Sequence, residues 1–533
     1  MQGVVAAGFR AEPFGIAAAP EAAMTAPPRP SSRLHRAAAA LVLSLLALAP
    51  AAASAEAILH AFNWRYDEVT ARAAEIRELG YAGVLVSSPL KTEGPQWWAR
   101  YQPQDYRVID SPLGDTEAFE RMSAALELRG LRLYADLVLN HMANEASQRS
   151  DLDYPSARVR AAYAADPARW QRQRLFGDLS QPLFTAEDFH PAFCIANYNS
   201  VTEVQTGRLC GGSGDTGLPD LKGSAKVIDV QRQYVAALIA LGVDGFRLDA
   251  AKHMTLAHVN AVLDPALLGD RRVFGEIITG GGQGNTEYAI FLVPWLQQTP
   301  LSAYDFPLFH RVRQAFGFGG DLSILVNAQA DGQSIDPRRA WTFAVNHDIP
   351  LNGIFRGQIM DATDETLAWA WLFARGEGTP LLYSDNNESG DNRWRDLYRR
   401  SDIAAMLGFH NALAGEPMVM VSQSACHLLF RRGTRALVGI NKCGEPRTLA
   451  IDPDRHPLRA PSRFRDALST HTLAVDGGAM SVDLPPRSAR LWRFDADASR
   501  CGPRRLRSKD PARCTQGPEA SPTAAPREAG DRR

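Results

Sequence analysis

The sequence carries almost no net charge, because 58 lysines and arginines are set against 59 aspartates and glutamates, which leaves a formal charge of -1. Nucleic-acid-binding proteins normally present a basic face to the phosphate backbone. This balance argues against a nucleic-acid partner and leaves a neutral ligand open. The 533 residues, of which 45% are hydrophobic, suit a globular protein of two or three domains.

Cysteine is scarce, and no two cysteines have the close double spacing of a zinc site. The sequence also lacks the close pairs His-x-His and His-Glu-x-x-His, which argues against a metal-dependent hydrolase. An even number of cysteines in an exported chain favours disulfides. Pairing in sequence order is our prediction among several possible connectivities, and it joins Cys194 to Cys210, Cys426 to Cys443 and Cys501 to Cys514.

No apolar run is long enough for a confident membrane span. Basic residues precede an apolar run over Ala37–Ala49, and small residues follow up to Ala55. This pattern is typical of a signal peptide that is cleaved after Ala55. We therefore expect a secreted or periplasmic protein without a membrane partner after cleavage, and the alternative is an uncleaved N-terminal anchor. Either Met1 or Met24 is the true start.

Strand-like apolar runs alternate with amphipathic helical stretches, which predicts a parallel sheet. The predicted barrel strands are Ile58–Phe62, Gly83–Val86, Leu131–Leu139, Gly245–Leu248, Arg272–Phe274, Trp341–Val345 and Pro380–Tyr383. The length suffices for a closed (β/α)₈ barrel. The predicted fold class is α/β, a TIM barrel with an irregular domain inserted after the third strand and a C-terminal antiparallel β-sandwich.

The alternation lapses after Asn140 and gives way to short strands between glycine and proline turns after about residue 395. We therefore predict a leader over 1–55, a barrel over 56–140 and 223–394, an inserted domain over 141–222, a β-domain over 395–497 and a disordered tail over 498–533.

Four segments, 136–141, 245–253, 274–276 and 343–348, each consist of an apolar strand that ends in polar or charged residues. The C-terminal ends of barrel strands converge on one mouth. We therefore expect Asp249, Glu276 and Asp348 to point into one pocket.

Three carboxylates in one mouth suit glycoside hydrolysis, in which retaining enzymes place the nucleophile and the acid about 5–5.5 Å apart. Asp249 is the predicted nucleophile, and Arg247 on the same strand face would keep it ionised. Glu276 is the predicted general acid/base, with a pKa raised by its apolar, carboxylate-rich setting. Asp348 would bind substrate hydroxyls and favour a distorted sugar ring.

In order and spacing, these segments resemble the four signature regions of the α-amylase family, glycoside hydrolase family 13. Segment 94–103 resembles the sugar-stacking segment of animal-type and related bacterial α-amylases, and 217–221 resembles a fifth region in the inserted domain. The resemblance covers about 56–495. It implies a monomer that hydrolyses internal α-1,4-glucosidic bonds of starch, glycogen and maltooligosaccharides by a retaining double displacement.

The resemblance implies a set of substrate-binding residues, in which flat aromatic faces would stack on glucose rings. The set is Trp97, Trp98, Tyr101, Gln102, His141, Arg247, Lys252, His253 and His347. The alternatives that share the three carboxylates are a glucanotransferase, an exo-acting maltooligosaccharide-forming enzyme and an α-glucosidase. A non-catalytic glycan-binding relative would have lost these acids.

The resemblance also implies a structural calcium ion between barrel and inserted domain, with about 6–8 oxygen ligands. The implied ligands are side-chain oxygens of Asn140 and Asp220 and backbone carbonyls of Arg208 and His253. Cys210 follows Arg208 instead of preceding it, which departs from the family pattern.

Some members of the family also bind chloride. The candidate ligands here are Arg247, Asn346 and Arg375, although segment 373–378 around Arg375 matches the family pattern poorly.

Overall fold

The structure is a computed structural model that describes residues 56–212, 214–386 and 388–495. The predicted signal peptide, the predicted tail and the pair Cys501 and Cys514 lie outside the described residues. Within the described ranges, no helix combines the length and apolar character needed to cross a membrane.

The strands are numbered in chain order. They are β1 (Ile58–Ala61), β2 (Gly83–Val86), β3 (Asp110–Ser111), β4 (Gly114–Asp115), β5 (Arg132–Leu137), β6 (Gly245–Leu248), β7 (Arg272–Gly275), β8 (Ser302–Tyr304), β9 (Ala340–Thr342), β10 (Thr379–Ser384), β11 (Met418–Gln423), β12 (His427–Arg432), β13 (Ala436–Asn441), β14 (Arg447–Ile451), β15 (Ser462–Asp466), β16 (Thr472–Val475), β17 (Met480–Leu484) and β18 (Ser488–Phe494).

The α-helices are numbered in the same way. They are α1 (Tyr66–Leu79), α2 (Thr116–Leu128), α3 (Ala157–Ala165), α4 (Pro167–Gln173), α5 (Val201–Thr206), α6 (Ala225–Ala240), α7 (Leu256–Val262), α8 (Pro265–Leu268), α9 (Val293–Gln298), α10 (Phe306–Phe316), α11 (Asp348–Leu351), α12 (Ala362–Arg375), α13 (Asn392–Arg395) and α14 (Ser401–Ala412).

Eight parallel strands close into a barrel in the order β1-β10-β9-β8-β7-β6-β5-β2. Their side chains are almost all buried, as expected when side chains fill the interior and helices cover the outside. The helices begin where capping residues favour them, as at Asp115 before α2 and Ser224 before α6. The predicted TIM barrel is confirmed.

An ion-pair cluster closes the end of the barrel where its strands begin. The Glu56 carboxylate contacts Arg132 at the start of β5 at 2.5 Å and Arg272 at the start of β7 at 3.1 Å. Glu56, two residues before β1, is therefore tied to two other strands at the end opposite the catalytic mouth.

An irregular region follows the third barrel strand, β5, as predicted. It contains the helices α3, α4 and α5 and the disulfide Cys194–Cys210. Beside this disulfide, Arg208 pairs with the backbone on either side of Cys194. Its N–H donates to the Phe193 carbonyl, and its own carbonyl accepts from the Ile195 N–H. The boundaries 141–222 stay a prediction.

The C-terminal residues form a six-stranded antiparallel sheet, β11-β12-β13-β18-β15-β16, and a two-stranded sheet, β14-β17. The two sheets approach closely, since a Cβ on Gly439 of β13 would lie 2.4 Å from the Leu484 side chain of β17. Leu429, Phe464 and Trp492 are among the buried residues of their core. The disulfide Cys426–Cys443 joins the ends of the β12–β13 hairpin, so both described disulfides confirm sequential pairing.

Candidate active site

The three predicted catalytic acids all follow barrel strands at the same mouth. Asp249 comes directly after β6, and Glu276 comes directly after β7. Asp348 follows β9 and begins the short helix α11. The barrel rule that predicted their convergence is therefore met by the backbone.

One buried guanidinium group gathers the carboxylates. Arg247 is 1% exposed, and its Nη1 contacts Asp249 Oδ1 at 3.1 Å while its Nη2 contacts Glu276 Oε1 at 2.5 Å. Nη1 also donates to both oxygens of Asp136, at 2.7 and 2.6 Å. Asp348 belongs to the same group. One of its carboxylate oxygens, one carboxylate oxygen of Glu276 and a ring nitrogen of His347 all lie within 4.8 Å of one another.

Burial and mutual repulsion govern the protonation of these carboxylates. Burial raises the pKa of Asp249 well above its usual range, against the opposing effect of Arg247, and neighbouring carboxylates add to the rise. Burial and then Glu276 raise the pKa of Asp348 to about 8. Burial and the repulsion between neighbouring carboxylates therefore both oppose full ionisation of this cluster. Arg247 favours the charged form of Asp249 as predicted, yet desolvation outweighs it.

Two histidines of the site both contact Tyr101, and burial favours the neutral form of each. The His347 ring stacks on Tyr101 at 5.5 Å and on Phe62 at 4.6 Å, and the Tyr101 hydroxyl lies 3.0 Å from His347 Nε2. Burial lowers the pKa of His347 well below its usual value. His141 contacts the Tyr101 carbonyl at 3.0 Å, and burial lowers its pKa to about 4.

A cavity of about 240 Å³ opens above the carboxylates. Every predicted substrate-binding residue except Arg247 lines it, and Arg247 lies beneath its floor. Trp98 is 47% exposed, whereas Trp97 packs against Tyr101 and His347. The predicted aromatic wall is thus assembled, with one tryptophan free to meet a ligand.

The sequence of this chain matches the model of the α-amylase catalytic domain over residues 67–265. An α-amylase from Aeromonas hydrophila is 47% identical over 455 residues, which span 85% of this chain and 98% of the relative. The chain belongs to the α-amylase family of glycoside hydrolases.

Solved α-amylase structures share the fold. The maltohexaose complex of α-amylase I from Eisenia fetida superposes with a TM-score of 0.65 at 23% identity, over 83% of this chain and 97% of that one. The acarbose complex of the Geobacillus thermoleovorans α-amylase gives 0.63 at 16% identity, over 84% and 99%.

Of the predicted calcium ligands of this α-amylase-family chain, Asn140 and Asp220 are brought together. The Asn140 carbonyl accepts from the Leu221 N–H, and the Asn140 side chain is close enough to the Asp220 carboxyl group to lower its pKa. Asp220 Oδ2 contacts His190 Nδ1 at 2.6 Å, whereas its buried Oδ1 has no hydrogen-bond partner among the described residues. A buried carboxylate oxygen that lacks a donor suits a cation.

The other two predicted ligands are buried nearby. Arg208 is 6% exposed and close enough to Asp220 for their charges to interact. His253 is 5% exposed, and its ring bonds the Val204 carbonyl at 3.1 Å. The Arg208 carbonyl accepts from the Ile195 N–H at 3.2 Å, and both carbonyl ligands stay a prediction.

The predicted chloride ligand Arg375 lies at the end of a barrel helix. Arg375 ends helix α12, donates to Glu377 at 2.7 Å and neighbours Ala374, whose carbonyl accepts from Arg432 of the C-terminal sheet. Arg247 Nε, Asn346 Nδ2 and two nitrogens of Arg375 are buried donors that lack a hydrogen-bond partner among the described residues. The chloride site stays a prediction.

Several site residues escaped the sequence analysis. Asp136 bonds Arg247 and accepts from the Tyr101 hydroxyl at 3.1 Å. The two residues meet because the register of β5 and β6 places Asp136 opposite Arg247. The inserted region also contributes Leu209 and Leu218 to the cavity wall. Nothing in their local sequence distinguishes these leucines from core residues.

Proposed function

We propose that this protein is an exported α-amylase that hydrolyses internal α-1,4-glucosidic bonds of starch, glycogen and maltooligosaccharides with retention of configuration. The observation that carries the proposal is the contact of Asp249 and Glu276 with the same guanidinium, on the floor of a cavity with an aromatic wall. Retaining glycosidases need two carboxyl groups about 5–5.5 Å apart.

Asp249 is the proposed nucleophile, which attacks the anomeric carbon and forms a covalent glycosyl-enzyme. Arg247 Nη1 lies 3.1 Å from Asp249 Oδ1 and favours its charged form. A substrate that displaces water from the cavity strengthens this interaction, because the local dielectric falls.

Glu276 is the proposed general acid, which protonates the glycosidic oxygen of the leaving chain. In the second half of the reaction, Glu276 takes a proton from the water that attacks the glycosyl-enzyme.

Asp348 and the surrounding rings are proposed to orient the sugar. Asp348 would accept hydrogen bonds from substrate hydroxyls, which favours the distorted ring of an oxocarbenium-like transition state. Trp97, Trp98 and Tyr101 would stack on the apolar faces of glucose units. His141 and His347, both neutral, would exchange hydrogen bonds with hydroxyl groups.

Asn140, Asp220 and the carbonyls of Arg208 and His253 are proposed to hold a structural calcium ion. When bound, it would supply positive charge that joins the inserted region to the third barrel strand. Export is supported by the signal-peptide pattern and by the two described disulfides.

The test is the product profile on amylose together with the anomeric configuration of the first products, read by proton NMR. Early mixed oligosaccharides of α-configuration are expected. Glucose alone, cyclic glucans or β-products would contradict the proposal.

Glu276→Gln should lower kcat by several orders of magnitude with little change in fold. The matched control is Glu365→Gln, because Glu365 is also buried and bonds an arginine, Arg393 at 3.3 Å, outside the cavity. Comparable kcat loss in both variants would count against the role of Glu276.

A further inference from the structure

A lysine in the wall of the catalytic cavity is held by a glutamate that the mechanism does not use. Lys252 Nζ donates to Glu287 Oε1 at 2.8 Å and to the Ile278 carbonyl at 3.0 Å. The Lys252 side chain is 7% exposed and that of Glu287 is 20% exposed. The pair is therefore largely desolvated, while the carboxylate stays open to the cleft.

Glu287 is fixed by the start of a helix over 286–298, which contains a π-helical turn at Tyr288–Leu292 and continues as α9. Asn285 caps this helix, because its Oδ1 accepts from the Tyr288 N–H at 3.0 Å. An acidic residue in the first turn is favoured by the helix dipole. The helix start therefore fixes the position of the Glu287 backbone independently of the contact with Lys252.

The contact joins two loops that carry the chemistry. Lys252 lies three residues after Asp249, and Ile278 lies two residues after Glu276. Lys252 and Ile278 line the catalytic cavity, and Glu287 lines an adjoining cavity of about 130 Å³ that also reaches Asp348. The Lys252–Glu287 pair therefore stands at the junction of two cavities beside the proposed acid.

We infer that Glu287 is a positioning residue that holds the Lys252 ammonium against the leaving part of the glucan chain and so sets the preference for longer chains. The inference rests on the proposed function, in which Glu276 protonates the oxygen of the leaving chain. Lys252, Glu276 and Ile278 line the same cavity, so the inference places sugar units of the leaving chain beside them. Lysine is flexible, so a fixed carboxylate partner lowers the ordering cost when the ammonium donates to sugar hydroxyls.

The test compares kcat/KM for maltoheptaose with kcat/KM for 2-chloro-4-nitrophenyl maltotrioside, whose leaving group carries no sugar. Removal of a hydrogen bond to a charged group should lower the ratio of the two values about ten-fold in Glu287→Ala and in Lys252→Met. The double variant should show no further fall, because both changes break one link. Glu287→Gln keeps the side-chain shape and one acceptor oxygen, and it should give an intermediate ratio.

The matched control is Asp110→Asn, which breaks the pair of Asp110 with the buried Lys91 at 2.7 Å outside both cavities. Its ratio should equal that of the wild type. If Glu287→Ala does not fold, as judged by near-UV circular dichroism, Glu287→Gln carries the test.

An unchanged ratio in the folded Glu287 variants, or losses that add in the double variant, would overturn the inference and leave the link a purely structural contact. A wild-type protein that hydrolyses neither substrate would instead contradict the proposed function, and this inference with it.

Discussion

Asp136→Asn should both destabilise the protein and move its pH–rate profile. Asp136 is 0% exposed, accepts from Arg247 Nη1 at 2.7 and 2.6 Å and accepts from the Tyr101 hydroxyl at 3.1 Å. Removal of one partner of a buried ion pair costs about 3–5 kcal/mol. Asparagine keeps an acceptor oxygen, so the expected loss is near the lower limit, about 3 kcal/mol. Thermal unfolding should report a Tm lower by several degrees.

The kinetic effect follows from the sign of the charge that is removed. Asp136 is one of the like charges that raise the pKa values of Asp249 and Asp348. Without it, Arg247 acts more strongly on Asp249, whose pKa should fall. The acid limb of the kcat/KM profile reports protonation of the nucleophile, so it should move to lower pH.

Asp105→Asn is the matched control for this prediction. Asp105 is also 0% exposed, and it bonds Arg107 at 3.0 Å and the Tyr163 hydroxyl at 3.1 Å, outside the carboxylate cluster. Its loss should lower the Tm to a similar extent without moving the pH profile. A stable Asp136→Asn protein with a wild-type profile would refute the reasoning.

Two further predictions concern stability. Excess chelator should lower the Tm more at pH 8 than at pH 5. Burial raises the pKa of Asp220 to about 6, and a proton competes with the cation below that value. An equal Tm shift at both pH values would contradict Asp220 as a ligand. Replacing Cys426 and Cys443 by serine opens a loop with a sequence separation of 17. It should lower the free energy of unfolding, measured by calorimetry, by about 3 kcal/mol. A decrease below about 1 kcal/mol would show that the β12–β13 hairpin constrains the chain without the disulfide.

The sequence predicted the elements whose signals are local. Asp249 and Glu276 each follow an apolar run directly, and the barrel rule brings such residues to one mouth. Strand β8 (Ser302–Tyr304) was missed, because three residues are too few to show periodicity. Its existence depends on pairing with β7 and β9.

Other features depend on contacts between distant residues. The role of Asp136 follows from its register opposite Arg247 on the neighbouring strand, which no local pattern encodes. The raised pKa of Asp249 reflects burial first and neighbouring carboxylates second, whereas the sequence shows only the nearby arginine. Arg375 was suggested by a family resemblance in a poorly matching segment, and only the structure shows that its guanidinium donates to Glu377.

The ion-pair cluster at Glu56 has a practical consequence for handling the protein. Glu56 is tied to the strand starts through Arg132 and Arg272, while the catalytic cavity opens at the strand ends. A fusion partner or immobilisation tag joined just ahead of this residue would be anchored on the far face of the barrel. Access of a polysaccharide chain to the cleft should then be unaffected by the attachment.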